Sequence, residues 1–284
     1  MPVEQVCGLG IAYEVIGEGE PWSVTPGGRF SKDSPGIREL AVALASTGKQ
    51  VLIWDRPNTG ASEVSFDGDS ESVMQADVLA ALLTHLGMTP AVISGGSGGS
   101  RVSLLAAARH PEVARALAVW WISGGPYGLL TLGTHYCGDS IAAAWRYGME
   151  AVADLPEWAE VLERNPVNRA KLLAQDPKTF ISTLEQWMLA YCPREGELVP
   201  GLPDRVARSM DLPALVFRSG ESDPHHTRST SERLAQLLPT AQLVEPPWGD
   251  REWNERVEQA AGGVGIFSRW PLLAAPLHDW SSAL

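Results

Sequence analysis

The feature that most limits what this chain can become is Gly95-Gly96-Ser97-Gly98-Gly99, five small residues between a strand-length apolar run, Ala91 to Ser94, and a helical stretch from about Arg101 to Arg109. A serine there sits at a tight strand-to-helix turn. Neighbours without side chains let the backbone take a strained conformation, and the helix N-terminus presents free N–H groups to negative charge developing beside the serine. This G-x-S-x-G setting is the nucleophile-elbow pattern, in which Gly98 supplies one such N–H. The rival reading of five small residues is a flexible turn or phosphate cradle. A dinucleotide fingerprint fits less well, because Gly95, Gly98 and Gly99 have the wrong spacing and the turn follows the fourth or fifth strand.

Strand-like and helix-like segments alternate around that turn, which predicts an α/β fold with a mostly parallel sheet flanked by helices. Strands are expected at Tyr13–Ile16, from Trp22, at Gln50–Trp54, Ala91–Ser94 and Val113–Ile122, with helices at Ile37–Ser46, Val73–Leu86 and Arg101–Arg109. Gly48, Gly87 and Pro111 stop those helices. From Gly124 to Gly201 the pattern is helical only, around Ile141–Ala153, Glu157–Arg164 and Lys178–Ala190, and βα alternation resumes at Ala214. A helical insertion therefore splits one sheet, giving core segments 1–125 and 201–284 and an inserted segment 126–200. Phe267 to Trp280 reads as a closing helix interrupted by Pro271 and Pro276.

With 284 residues and 44% hydrophobic content the chain can build a large core without metals or disulfides. Its 22 Lys+Arg against 34 Asp+Glu, a formal charge of −12, oppose the phosphate and anionic-lipid attraction on which non-specific nucleic-acid and membrane-surface binders depend. Cys7, Cys137 and Cys192 form neither a metal-type pair nor a disulfide framework, and no apolar run is long enough to span a membrane. The expectation is a cytoplasmic protein with a small-molecule partner, no nucleic acid, no membrane and no metal or other cofactor; a homo-oligomer is left open.

At this point the chain resembles the α/β-hydrolase superfamily, over nearly its whole length. That resemblance implies an eight-stranded sheet with the nucleophile, Ser97, after the fifth strand and a helical cap inserted after the sixth. Thr25-Pro26-Gly27-Gly28-Arg29 occupies the place of the family's His-Gly loop, so the resemblance implies that Gly28 or Arg29 gives the second oxyanion-hole N–H. Asp55-Arg56-Pro57-Asn58-Thr59-Gly60-Ala61-Ser62 looks like the family's Asp-Arg-x-x-Gly-x-Ser turn and is read as structural. The loop Arg218-Ser-Gly-Glu-Ser-Asp223-Pro matches the one that carries the acid, with Asp223 preferred over Glu221.

The sequence then departs from the family. After the eighth strand, where a Gly-His pair is usual, it reads Pro246-Pro247-Trp248-Gly249-Asp250-Arg251, which puts Asp250 in the position of the general base. Serine is a poor nucleophile unless a base takes its proton, and an ionised carboxylate is a much weaker base than imidazole near neutrality. Of six histidines, His85 and His110 sit at helix ends, His135 in the cap and His278 in the terminal segment. His225 and His226 directly follow Asp223-Pro224. His226 can turn back toward the pocket while Asp223 fixes its tautomer, with His225 as second choice and solvated loop histidines as the plain alternative.

Aromatic residues of the inserted segment and its surroundings, Trp121, Tyr127, Trp145, Trp187 and Trp248, are read as pocket lining for a small hydrophobic or aromatic substrate, although large aromatics are more often core. The function expected is a serine hydrolase acting on an ester, lactone, amide or activated C–C bond through an acyl-enzyme. Two rivals stand beside it: a lyase or cofactor-independent oxygenase on the same scaffold, and a binding protein that lost its histidine, for which Asp250 is the sequence argument.

Overall fold

The computed structural model describes residues 2–284. Eight strands run β1 Val3–Val6, β2 Leu9–Ile16, β3 Glu20–Thr25, β4 Lys49–Trp54, β5 Ala91–Gly96, β6 Ala114–Trp120, β7 Ala214–Phe217 and β8 Ala241–Val244. They form one sheet in the order β1-β2-β4-β3-β5-β6-β7-β8. Only β1/β2 and β2/β4 pair antiparallel; every pairing from β4 to β8 is parallel. The strands alternate in the period of two that a sheet covered on both faces requires. Val92, Ala116, Ala118, Trp120 and Phe217 enter one buried cluster, while Ile93, Leu117, Val119 and Val216 enter the other.

The first cluster is closed by α1 Ile37–Ala45 and by the C-terminal region. The second is closed by α2 Glu71–His85 and α3 Gly98–Arg109. The inserted region carries α4 Pro126–Tyr147, α5 Met149–Ala153, α6 Pro156–Arg164, α7 Val167–Leu173 and α8 Pro177–Leu189, and α9 Asp204–Ala207 follows it. After β7 come α10 Arg228–Leu237, then α11 Glu252–Ala261 beyond β8, and α12 Ala274–Ser281. The first inserted helix begins fifteen residues before the expected Ile141, because Gly128, Gly133 and Gly138 sit in helical positions that pattern alone treats as breaks. Helix α7 is absent from the sequence-based expectation, being only seven residues long. The closing segment is a 3₁₀ turn over Trp270–Leu273 followed by α12, with Pro271 and Pro276 in first turns where a missing N–H costs nothing.

The inserted helices have a core of their own, with Trp158, Phe180, Leu184 and Trp187 buried together. That core is fixed to the loop after β4 by the fully buried Asn168. Its Oδ1 accepts from Val64 N–H at 3.0 Å and its Nδ2 donates to the Ser62 and Val161 carbonyls. The Asp55–Ser62 turn that receives it is braced from within and from the loop after β3, since Asp55 accepts from Ala61 N–H and Lys32 N–H while Ser62 Oγ donates to the Asp55 carbonyl. Arg56 extends from this turn and donates to the Gly28 carbonyl at 2.6 Å, tying it to the loop after β3.

Candidate active site

The chain reverses direction between β5 and α3 on a single residue. Ser97 has φ 57° and ψ −126°, a left-handed conformation that costs a non-glycine residue energy and holds only where the surroundings enforce it. They do so by close approach: a Cβ on Gly99 would lie 2.0 Å from the Thr25 carbonyl oxygen, and one on Gly27 would lie 2.5 Å from Ser97 Cβ. Substitution at either position would push the β3 loop off the turn. The serine is half-buried and its hydroxyl lines a cavity of about 410 Å³ between the sheet edge and the inserted helices.

The loop after β7 delivers two more groups. His226 Nε2 lies 2.9 Å from Ser97 Oγ, and His226 Nδ1 lies 2.8 Å from Asp223 Oδ2. With Nδ1–H donated to the carboxylate, Nε2 is left as the acceptor that a serine proton needs. Asp223 is fixed from four directions. Its Oδ1 accepts the backbone N–H groups of His225 and His226, each at 2.9 Å, and its Oδ2 accepts from His226 and from Arg256 Nη2 at 3.2 Å. Burial raises its pKa, but the charges of His226 and Arg256 and these hydrogen bonds outweigh it and hold the carboxyl down at about 2. Glu221 is exposed and takes no part.

Two backbone amides from two different loops meet beside Ser97. Gly98 N–H opens α3, and Gly28 N lies 3.5 Å from where a Gly98 Cβ would stand, so the two amides border one space. Gly28 N–H donates to no other backbone or side-chain acceptor among the described residues. Arg29 lies next in chain and its N–H remains the alternative donor; its side chain pairs with Glu71 at 2.9 Å and donates to the Tyr136 carbonyl.

His225, the residue before His226, lines the same cavity but no hydrogen bond joins its ring to Ser97. Its ring faces Trp253 and Tyr127, at centroid distances of 4.9 and 5.7 Å, and burial lowers its pKa. Asp250 is exposed, and its carboxylate pairs with Arg228 on α10, away from Ser97. Its carbonyl, by contrast, accepts from Ser222 N–H and Oγ, which joins the loops after β7 and β8.

Of the aromatics expected to line the pocket, only Trp121 does. It stacks on His226 with centroids 6.1 Å apart. Trp187 is buried inside the inserted core and donates to the Gly68 carbonyl, while Trp145 and Tyr127 point largely into solvent, with 76% and 65% exposure. Trp248 packs behind Trp121 and fills the floor without reaching the cavity. The apolar wall comes instead from Phe30, Leu132, Ile266 and Phe267. Arg256 joins the site unanticipated by the sequence, its guanidinium 3.9 Å over the Trp121 ring while touching Asp223. Its one sequence signal is the spacing of Glu252 and Arg256 on one face of α11.

Sheet order, serine bend and the acid-bearing loop after β7 together define an α/β-hydrolase fold. A family model described as the alpha/beta hydrolase fold matches residues 26–120, the stretch from the loop after β3 to the end of β6. Among relatives, the chain is similar to the sn-1-specific diacylglycerol lipase ABHD11 of Mus musculus, 38% identical over 139 residues. That stretch is 49% of this chain and 39% of the lipase, so the chain matches well under half of that relative's length. Solved structures agree on the fold. An enol-lactonase from Burkholderia xenovorans superposes with a TM-score of 0.57 at 24% identity, covering 92% of this chain and 97% of that one. A thermophilic esterase from Thermogutta terrifontis gives 0.56 at 19%, covering 92% and 96%, and a meta-cleavage product hydrolase from Pseudomonas fluorescens gives 0.58 at 18%, covering 97% of each. No helix among the described residues is long and apolar enough to cross a membrane.

Proposed function

We propose that this α/β-fold chain is a serine hydrolase that cleaves an ester, lactone, amide or activated C–C bond of a small, largely apolar substrate. The observation that carries the reading is the continuous hydrogen-bonded line from Ser97 Oγ to His226 to Asp223, at 2.9 and 2.8 Å. His226 Nε2 takes the hydroxyl proton as Oγ adds to the substrate carbonyl, and Asp223 stabilises the imidazolium that forms. The N–H groups of Gly98 and Gly28 hold the oxyanion. Collapse breaks the scissile bond, the leaving group takes the proton from His226, and a water deprotonated by the same imidazole releases the acyl group. The relatives' printed names, a lipase, an esterase and a lactonase, support acyl chemistry of this class.

The apolar wall of Trp121, Phe30 and Phe267 beside Ser97 favours an aromatic or short aliphatic acyl or alkoxy group over a polar one. The reading of a binding protein that lost its base drew on Asp250, and it loses that ground with an imidazole 2.9 Å from Ser97 Oγ. A fluorophosphonate probe tests the proposal: covalent label should appear on Ser97 in the wild-type protein and disappear in Ser97→Ala. An unlabelled serine, together with no turnover of short-chain p-nitrophenyl esters, would sink it.

A further inference from the structure

A second, smaller pocket adjoins the main cavity and shares Gly28, Arg29 and Tyr136 with it. Three guanidiniums converge there, from Arg29, Arg56 and Arg101, and the last two are only 3% and 4% exposed. The one carboxylate in the lining is Glu71, already paired with Arg29 and accepting from Asn58. Arg56 donates only to the carbonyls of Gly27 and Gly28, and its Nε has no partner. Arg101 donates Nε to Ser72 Oγ and Nη2 to the Tyr191 hydroxyl, which leaves Nη1 buried and without a partner. Tyr191 does not offset these charges, because burial pushes its phenol up and keeps it neutral.

Three guanidiniums thus share the single carboxylate of Glu71, which leaves the lining with an excess of positive charge. Burying an unpaired ion is costly, and a guanidinium with free N–H groups is the donor best shaped for a compact oxyanion or halide. The space admits about one water-sized sphere. It also lies beside the oxyanion amides, with Arg56 Nη1 3.7 Å from the place of a Gly98 Cβ.

We propose that this space is a subsite for one compact monovalent anion, a free halide-sized ion or the carboxylate of a substrate, held by Arg56 and Arg101 behind the turn that bears Ser97. The site itself follows from the buried charges and stands whatever Ser97 does; its use by a substrate carboxylate rests on the hydrolase reading. The probe is bromide. Crystals grown without chloride and soaked in sodium bromide should show an anomalous peak within hydrogen-bond reach of Arg101 Nη1. In solution at constant ionic strength, replacing gluconate by bromide should raise the melting temperature by about 3 °C in the wild type and leave Arg101→Met unmoved.

Kinetics separates the two sources of anion. If a substrate carboxylate uses the site, bromide raises KM for a carboxylate-bearing ester and not for its neutral methyl-ester counterpart; if a free ion uses it, the two esters respond alike. Absence of a bromide peak at Arg101, with equal melting responses in bromide and gluconate, overturns the proposal. The crystallographic arm needs only the wild-type protein, so failure of the variant to fold would not shield it.

Discussion

The loops that leave β7 and β8 lie side by side, pinned together through the Asp250 carbonyl, yet they contribute to the candidate site in opposite ways. The first carries Asp223 and His226, the proposed acid and base, three residues apart, in a turn whose two N–H groups both bind Asp223 Oδ1. The second brings no side chain to Ser97; its Asp250 turns out to solvent, and only the following helix reaches in, through Arg256. A base is defined by where its nitrogen sits rather than by which loop delivers it. Carrying both partners on one turn couples them locally, so the imidazole is oriented by the same segment that holds its carboxylate.

The sharpest way to break this comparison is to remove each histidine in turn. His226→Ala should lower kcat/KM on a p-nitrophenyl ester by a factor on the order of 10⁵, close to the effect of Ser97→Ala, because members of one catalytic unit fail together. His225→Ala should stay within a few-fold of wild type. Equal losses at both positions would assign the base to neither. Asp223→Asn comes next. It keeps the shape of the turn but presents an amide to Nδ1, and a fall in kcat of about 10³–10⁴ with KM little changed is expected from steady-state kinetics.

Acid should act on the same loop through stability. Asp223 has its pKa lowered from the ordinary 3.8 to about 2 in the folded protein, so the folded state favours the ionised form. The stabilisation is complete above roughly pH 4, is worth about 2 kcal/mol, and is lost as pH falls through 2. Urea midpoints measured at pH 5 and pH 3 should therefore drop more for the wild type than for Asp223→Asn.

Arg256 sharpens the comparison from the β8 side. It faces two buried carboxylates, Asp223 and Glu252, and covers Trp121. Glu252 has its pKa raised by burial, which Arg256 opposes. Arg256→Met should reduce kcat about tenfold and lower stability by about 1–3 kcal/mol, since it strands both carboxylates. Arg256→Lys should recover stability better than activity if the guanidinium's position on Asp223 matters. Parallel recovery of both would leave Arg256 a packing residue.

Much of this was readable before any coordinates, and the reasons are local. The Gly-rich turn around Ser97, the stops at Gly48, Gly87 and Pro111, and the spacing of Asp223 and His226 are all properties of a few consecutive residues. What failed depended on distant packing. Nothing in sequence says that Trp187 looks into the inserted core, that Trp145 looks into solvent, or that Phe30 and Phe267 close the pocket from opposite ends of the chain. Arg256 was illegible for the same reason: on α11 it resembles any charged residue of a solvated face, and only the fold turns that face onto Asp223.

The smallest expected effect is the one that bears most directly on how the two loops differ. Asp250 occupies the sequence position where a base is usual, so a loop-for-loop reading would make it indispensable. In the structure its carboxylate is 57% exposed and bound to Arg228, an arrangement whose attraction is screened by water and offset by the entropy of two ordered side chains. Its carbonyl, which does join the two loops, is present in any residue. Asp250→Ala should therefore change kcat/KM by less than about twofold and stability by at most ~1 kcal/mol, measured by ester turnover and urea unfolding. A loss of several orders of magnitude would mean that this carboxylate reaches the chemistry after all, and that the β8 loop swings inward when substrate binds. Asp250→His puts the alternative base back where it is usual: with His226 intact it should add nothing, and in His226→Ala it should restore turnover only if the β8 loop can bring an imidazole to Ser97.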